Sequence, residues 1–280
     1  MNYEVERWLV KPEAERDIPR QPCCFPLEPV IQHMHARLDQ PISLQELAED
    51  AGWSPFHFHR QFRAATGIPP HEFLTTLRLQ EAKRLLLTTP SSVIEVCFAV
   101  GYSSLGTFTA RFTHLVGVAP GRLRQFANTV SMPTVDRVGE LRAAQRGVQR
   151  AAGGVYGEVH AQSGMMGPIF VGLFPKPIPQ ARPIRGDVLA TPGTFCIEAP
   201  PDGRYYLLAA ALPWAMDPRV PLLPGVGLLV GTCAEPLQIR SGRTEQVAHI
   251  TLRSPRPTDP PVLCCLPFLL NQQFASSATA

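Results

Sequence analysis

Ser43-Leu44-Gln45-Glu46-Leu47-Ala48, then Ala51-Gly52-Trp53-Ser54, Phe58, Phe62, Gly67 and Pro70, form one copy of a pattern that occurs twice. The second copy is Ser92-Val93-Ile94-Glu95-Val96-Cys97, then Val100-Gly101-Tyr102-Ser103, Phe108, Phe112, Gly117 and Pro120. The two register after a one-residue slip just past the aromatic. An internal repeat sets the architecture before any single element does.

Each copy carries its own local physics. Ser43 with Glu46, and Ser92 with Glu95, are S-x-x-E capping boxes, in which hydroxyl and carboxylate each satisfy an unpaired amide at the helix start. Leu44 and Leu47, or Val93 and Val96, give the helix its apolar side, and a small residue (Ala48, Cys97) lets a second helix cross closely. Gly52 and Gly101 end these helices, because glycine reaches the left-handed conformation without steric cost. In the first copy Ser54-Pro55 restarts a helix, with the hydroxyl as N-cap and proline at N1. Phe58 and Phe62, or Phe108 and Phe112, lie about one turn apart and face the first helix. Helix, glycine turn, second helix is the helix-turn-helix, whose second helix enters a DNA major groove.

At these residues the sequence resembles the AraC/XylS family of bacterial transcription regulators, over roughly residues 30–126. The second motif carries the more specific likeness: Ile94 through Ala99, Gly101-Tyr102-Ser103-Ser104, Thr107-Phe108, Arg111-Phe112 and Gly117-Val118-Ala119-Pro120. The resemblance implies two DNA-reading motifs joined by a rigid helix, with Arg78, Ala82 and Leu85-Leu86 matching that connector. Members commonly place an effector-binding or dimerising domain, often a cupin-like barrel, before the DNA-binding unit. Here the order is reversed.

Candidate reader residues follow from which face stays outside. With Phe58 and Phe62 inward, Phe56, His59, Arg60 and Arg63 line the outer face of the first reader helix. Arg60 is the candidate for base readout, since a guanidinium chelates guanine O6 and N7. His59 is placed to donate to a base edge and Phe56 to pack on a thymine methyl, and the family reads bases from the matching positions. The second reader presents Ser104, Leu105, Gly106, Thr107, Thr109 and Ala110, with Arg111 at its edge. These small side chains suit backbone approach and phosphate capture more than base chelation. His33 and His35 are expected as solvated surface, His57 reads equally as solvated surface or as part of the reading face, and no metal or cofactor site is expected.

Amphipathic spacing predicts a helix over 27–39, and Pro69-Pro70 predicts a connector to about Leu87 with Arg78, Lys83 and Arg84 as a basic flank. A rod of about 17 residues spans ~26 Å, against the ~34 Å of one DNA turn. From Gly101 to Ala127 the charged residues are Arg111, Arg122 and Arg124, with no acid, as expected for phosphate contact.

The remainder changes character. Prolines and glycines punctuate short apolar runs over 155–159, 169–174, 193–197, 205–210, 226–230, 237–239 and 247–252, which argue a β-sandwich or open barrel. Gly157-Glu158-Val159, Pro192-Gly193-Thr194-Phe195, Pro200 to Tyr206 and Ile250-Thr251-Leu252 resemble the carboxypeptidase-regulatory, transthyretin-like sandwiches. Phe170, Phe195, Tyr205 and Tyr206 are expected in the core, and Trp214 in packing within a loop.

Composition bounds the rest. A length of 280 residues suits about two domains, and no apolar run approaches the ~18 residues of a membrane span. The N-terminus lacks the basic-then-apolar order of a signal peptide, so cytoplasmic localisation is expected. The net charge of +3 is modest. The seven cysteines form no C-x-x-C pair and read as reduced thiols. No cysteine is followed by histidine, and no phosphate loop, HExxH or nucleophilic serine constellation is visible, so no enzyme is expected.

The expected fold class is thus an N-terminal all-α tandem helix-turn-helix domain and a C-terminal all-β sandwich. The expected division is a flexible tail over 1–26, the DNA-binding domain over 27–127, a linker over 128–154, the sandwich over 155–270 and a disordered tail over 271–280. The expected function is sequence-specific regulation of transcription on double-stranded DNA. A small-molecule effector, a homodimer and, for an activator, RNA polymerase are the further candidate partners. The alternative is an adaptor whose sandwich binds a carbohydrate, peptide or small molecule.

Overall fold

A computed structural model of the chain describes residues 27–129, 153–161, 167–213, 220–223 and 225–269. The tails expected over 1–26 and 271–280, most of the linker expected over 128–154, and Trp214 lie outside the described residues. The helical part runs α1 (Glu28–Ala36), α2 (Leu44–Asp50), α3 (Pro55–Thr66), α4 (Pro70–Thr88), α5 (Val93–Ala99), α6 (Leu105–Val116) and α7 (Pro120–Thr129). No helix among the described residues is long and apolar enough to cross a membrane.

Both capping boxes form. Ser43 Oγ accepts from the Glu46 amide at 3.1 Å while Glu46 accepts from the Ser43 amide at 2.7 Å. The Ser92–Glu95 pair repeats this at 3.3 and 2.6 Å. Such caps contribute about 1 kcal/mol each, which matters for helices of only seven residues that are marginal alone. Tertiary packing supplies the rest. Phe58, Phe62 and Phe73 meet at ring distances of 5.5 and 5.3 Å in one core. Tyr102, Phe108 and Phe112 meet at 5.4 and 5.6 Å in the other.

Helix α4 belongs to both cores. Phe73, Leu74 and Leu77 pack in the first, and Leu79, Ala82 and Leu86 in the second. At 19 residues it is slightly longer than predicted and about 28 Å long. The predicted basic flank is corrected at two of its three residues. Arg84 is on the surface, paired with Glu81 at 2.6 Å. Arg78 is half buried and donates to the carbonyls of Leu38 and Gln40 at 2.9 and 2.6 Å. Lys83 is buried and donates to Leu263 O at 3.1 Å. The reasons differ: the stretch that leaves α1 covers Arg78, and the C-terminal segment covers Lys83, on a side of α4 that a two-motif reading leaves to solvent. His33 is likewise no solvated histidine: its Nδ1 meets Asp50 at 2.6 Å and its Nε2 lies 2.9 Å from Arg37, tying α1 to α2.

The β-rich part contains β1 (Gly154–His160), β2 (Ile169–Phe174), β3 (Arg185–Leu189), β4 (Gly193–Glu198), β5 (Gly203–Ala211), β6 (Leu229–Thr232), β7 (Leu237–Ile239) and β8 (Ala248–Thr251). They form a three-stranded sheet in the order β4-β1-β8 and a five-stranded sheet in the order β3-β2-β5-β6, with β7 also paired to β5. One apolar cluster draws on both sheets, from Val155, Phe195 and Ile250 to Val171, Leu207 and Ile239. Strand β2 is buried on both faces, because Phe170 and Phe174 pack outward against Cys264 and Leu266. The expected 226–230 strand begins only at Leu229.

Strand β3, Arg185-Gly186-Asp187-Val188-Leu189, is not among the predicted runs because three of its five residues are polar or glycine. Its burial rests on Asp187, whose carboxylate accepts from the Val188 and Cys196 amides at 2.8 and 2.9 Å. In β1, Gly157 pairs with Phe195 of antiparallel β4 and with Ala248 of parallel β8. A Cβ there would stand 2.1 Å from Ala248 O and 2.5 Å from the Phe195 ring.

The two parts are fastened together. Ile178 inserts into the first helical core, while Leu222, Leu263 and Cys265 complete the second. The Cys265 amide donates to Val116 O at 3.0 Å, and Phe268 stands edge-on to Phe126 at 5.2 Å.

Gly157→Ala should cost about 1–3 kcal/mol or more, read as a lowered denaturation midpoint; an unchanged midpoint would mean that β1 and β8 are not paired this way. Lys83 supplies a second expectation. Burial lowers its pKa against the weaker opposing pull of Cys265 and Cys264. Over some interval below 10.5 the unfolded chain therefore holds a proton that the folded chain has lost, so stability rises with pH there. The Cys264 thiol, pushed up to about 12 by burial, acts in the opposite sense but is common to parent and variant. Tm measured from neutral pH toward 10.5 should rise for the parent relative to Lys83→Met, and parallel curves would refute the buried ammonium.

Candidate nucleic-acid interface

The first candidate reader is α3. Ser54 caps it, accepting from the His57 amide at 3.4 Å, and Pro55 occupies its first turn. Phe58 and Phe62, both fully buried, fix its rotation about its axis. That rotation leaves Phe56 79% exposed and puts Arg60 and Arg63 on the surface, with His59 half buried. At this exposure Phe56 has no packing role among the described residues. Arg60 has no ion-pair partner among the described residues. Burial, then the charges of Arg63 and His71, hold His59 below the ordinary histidine range, so it presents a neutral ring with one donor and one acceptor. His57, half buried, packs edge-on against Trp53 at 4.8 Å.

The second is α6. Ser104 is its N-cap, its hydroxyl accepting from the Thr107 amide at 3.4 Å. Leu105 is 39% exposed, and Gly106, Thr107, Ala110 and Arg111 are exposed beside a half-buried Thr109. Phe108 and Phe112 lock this helix as their counterparts lock α3. The Arg111 guanidinium lies beside the Tyr102 hydroxyl, whose pKa is raised by burial and drawn back by Arg111 and Arg78. Every predicted reader residue is therefore at least partly solvent-accessible, on two helices held by equivalent cores. The surfaces differ in chemistry: one is cationic and aromatic, the other small with a single cation at its edge.

Arg124 departs from the expectation for phosphate-binding arginines. It donates to the carbonyls of Leu86, Thr89 and Ser91 at 3.0, 3.4 and 2.6 Å. It does for the end of α4 what Arg78 does for the end of α1. Both roles escaped the sequence reading, although a signal was present. Helices α2, α3, α5 and α6 end at or beside a glycine, whereas α1 and α4 do not. Carbonyls at such ends need another donor. Arg111 and Arg122 remain exposed.

Comparison with known proteins follows this division. The family described as "Helix-turn-helix domain" matches residues 47–125. The chain is 32% identical over 100 residues to the uncharacterized HTH-type transcriptional regulator YobQ of Bacillus subtilis, covering 36% of this chain and 40% of that protein. It is 34% identical over 96 residues to the HTH-type transcriptional regulator GlxA of Rhizobium meliloti, covering 34% and 30%. The match thus spans less than half the length of these relatives. Among solved structures, the DNA-binding domain of AdpA, a global transcriptional factor crystallised with a target DNA, is 31% identical, with 38% of this chain and 95% of that chain covered and a TM-score of 0.36. The helical region of this chain is an AraC/XylS-type tandem helix-turn-helix domain.

Proposed function

We propose that the chain is a sequence-specific DNA-binding regulator of transcription that meets two adjacent major-groove segments of one duplex with α3 and α6. The observation that carries this reading is the sharing of α4 between both cores, which makes the two motifs one rigid body. A rod of about 28 Å is somewhat shorter than the ~34 Å of a DNA turn. Simultaneous insertion then requires the DNA to bend or one helix to sit less deeply.

In this reading α3 supplies direct readout through Phe56, His59 and Arg60, with Arg63 on the backbone. Helix α6 docks through Ser104, Leu105, Gly106, Thr107, Thr109 and Ala110, with Arg111 as a phosphate contact. We read the β-rich part as a two-layer sandwich with a sensory or dimerising role. Its shared inter-sheet cluster supports the layering, and its attachment to α4 and α6 supports a regulatory rather than a merely tethered domain. Its proposed partners are a small effector or a second copy, with RNA polymerase as a partner of an activating form.

Fluorescence anisotropy with promoter fragments from the gene's own chromosomal neighbourhood tests this. Arg60→Ala should cost about 1–3 kcal/mol at one base-pair position and relax preference there. Arg111→Ala should weaken binding evenly across sequences and reduce the salt slope by about one. Equal loss of specificity from both would overturn the division of labour, and absence of any sequence preference in the parent would overturn the regulator reading.

A further inference from the structure

The outward face of the three-stranded sheet carries a cluster that the DNA-binding reading does not use. Glu158 and His160 alternate with the buried Val159 on β1, so both point away from the shared core. Strand β8 runs parallel beside them with Glu158 opposite His249 and Val159 opposite Ile250. That register puts His249 on the same outward face, between buried Ala248 and Ile250. One ligand atom from each of Glu158, His160 and His249 lies within 4.8 Å of the other two.

We propose that Glu158, His160 and His249 bind one divalent transition-metal ion of the zinc class. Two imidazoles and a carboxylate are a donor set suited to zinc, nickel or copper, and poorly suited to magnesium or calcium, which take oxygen. Three protein ligands with a remaining position open to water is the arrangement of a zinc site that is not purely structural. The spacing agrees. Ligand atoms ~2.0–2.2 Å from a tetrahedral zinc stand about 3.4 Å from one another. His160 Nε2 and Glu158 Oε2 are already 3.5 Å apart, long for a hydrogen bond but close to that edge. The two imidazoles stand face to face, centroids 6.1 Å apart and 18° from parallel, so both exposed side chains turn their ring edges inward to bring one nitrogen each to a shared ion.

The backbone fixes what the rotamers do not. Gly157 lets β8 approach in register, since a Cβ would strike Ala248 O. The three ligands are thereby anchored on adjacent paired strands and not on a loop. No sequence motif announces them, because β1 and β8 lie at opposite ends of the β-rich part.

The test uses the full metal-free chain without DNA, so it succeeds or fails independently of the regulator reading. Zinc binding is followed by competition with a chromophoric chelator, and coordination by the visible absorption of the cobalt(II) form. The parent should take up one ion at this site with a tetrahedral or five-coordinate cobalt spectrum. His160→Ala and His249→Ala should each weaken binding by more than the roughly 10–100-fold that loss of an outer supporting residue costs. His114→Ala, an exposed histidine on α6, should leave it unchanged. Circular dichroism should show the variants folded, as expected for exposed side chains. Zinc uptake equal in the parent and in the His160→Ala/His249→Ala double variant, or no uptake by the folded parent, would overturn the proposal.

Discussion

One helix cannot turn without moving everything else. Its N-terminal half fills the core that positions α3, and its C-terminal half fills the core that positions α6. Phe73 and Leu86, both buried, lie on the same continuous hydrogen-bonded rod. Close-packed interiors resist small displacements, so the two reader helices have a fixed relation set by the rise and twist of α4. The arginines reinforce this. Arg78 closes the end of α1 from α4, and Arg124 closes the end of α4 from α7. Each takes the place of a glycine cap with a charged donor from a helix three further along the chain, and so converts a local helix end into a long-range tie.

Under the proposed division of labour, that tie is what lets a surface as plain as that of α6 contribute to recognition. Small residues allow the backbone to approach a duplex closely, but they carry little base information. In the proposed reading base recognition falls to α3, where Phe56 and Arg60 are exposed beside a half-buried His59. A helix that mainly docks is useful only when its position relative to the reading helix is invariant. The shared rod provides that invariance.

The β-rich part bears on the same rod. Lys83 hydrogen-bonds two carbonyls in the C-terminal segment, and Cys265 and Leu263 fill space beside Leu86 and Val116. Among the described residues the Lys83 amine hydrogen-bonds only the Val262 and Leu263 carbonyls, and burying a charged group there carries a desolvation cost. Any ligand of the β-rich part that shifts the C-terminal segment therefore acts on the helix that both readers share.

The helical domain was legible in the amino-acid order nearly residue by residue. Capping boxes, glycine turns and paired phenylalanines are local signals, and the repeat states each of them twice. The outer faces of α3 and α6 followed, because two buried phenylalanines a turn apart leave only one face free. Short apolar runs also located most strands, since period and turn chemistry are local. The tertiary structure decided the rest, where the deciding contact is distant in sequence. Strand β3 is hidden by its own polarity until Asp187 finds the Cys196 amide. Lys83 reads as a surface cation until the segment near Leu263 covers it. Arg124 reads as a phosphate ligand until the bare end of α4 claims it. The parallel pairing of β1 with β8, and with it the meeting of His160 and His249, depends on a strand register that only the folded chain sets.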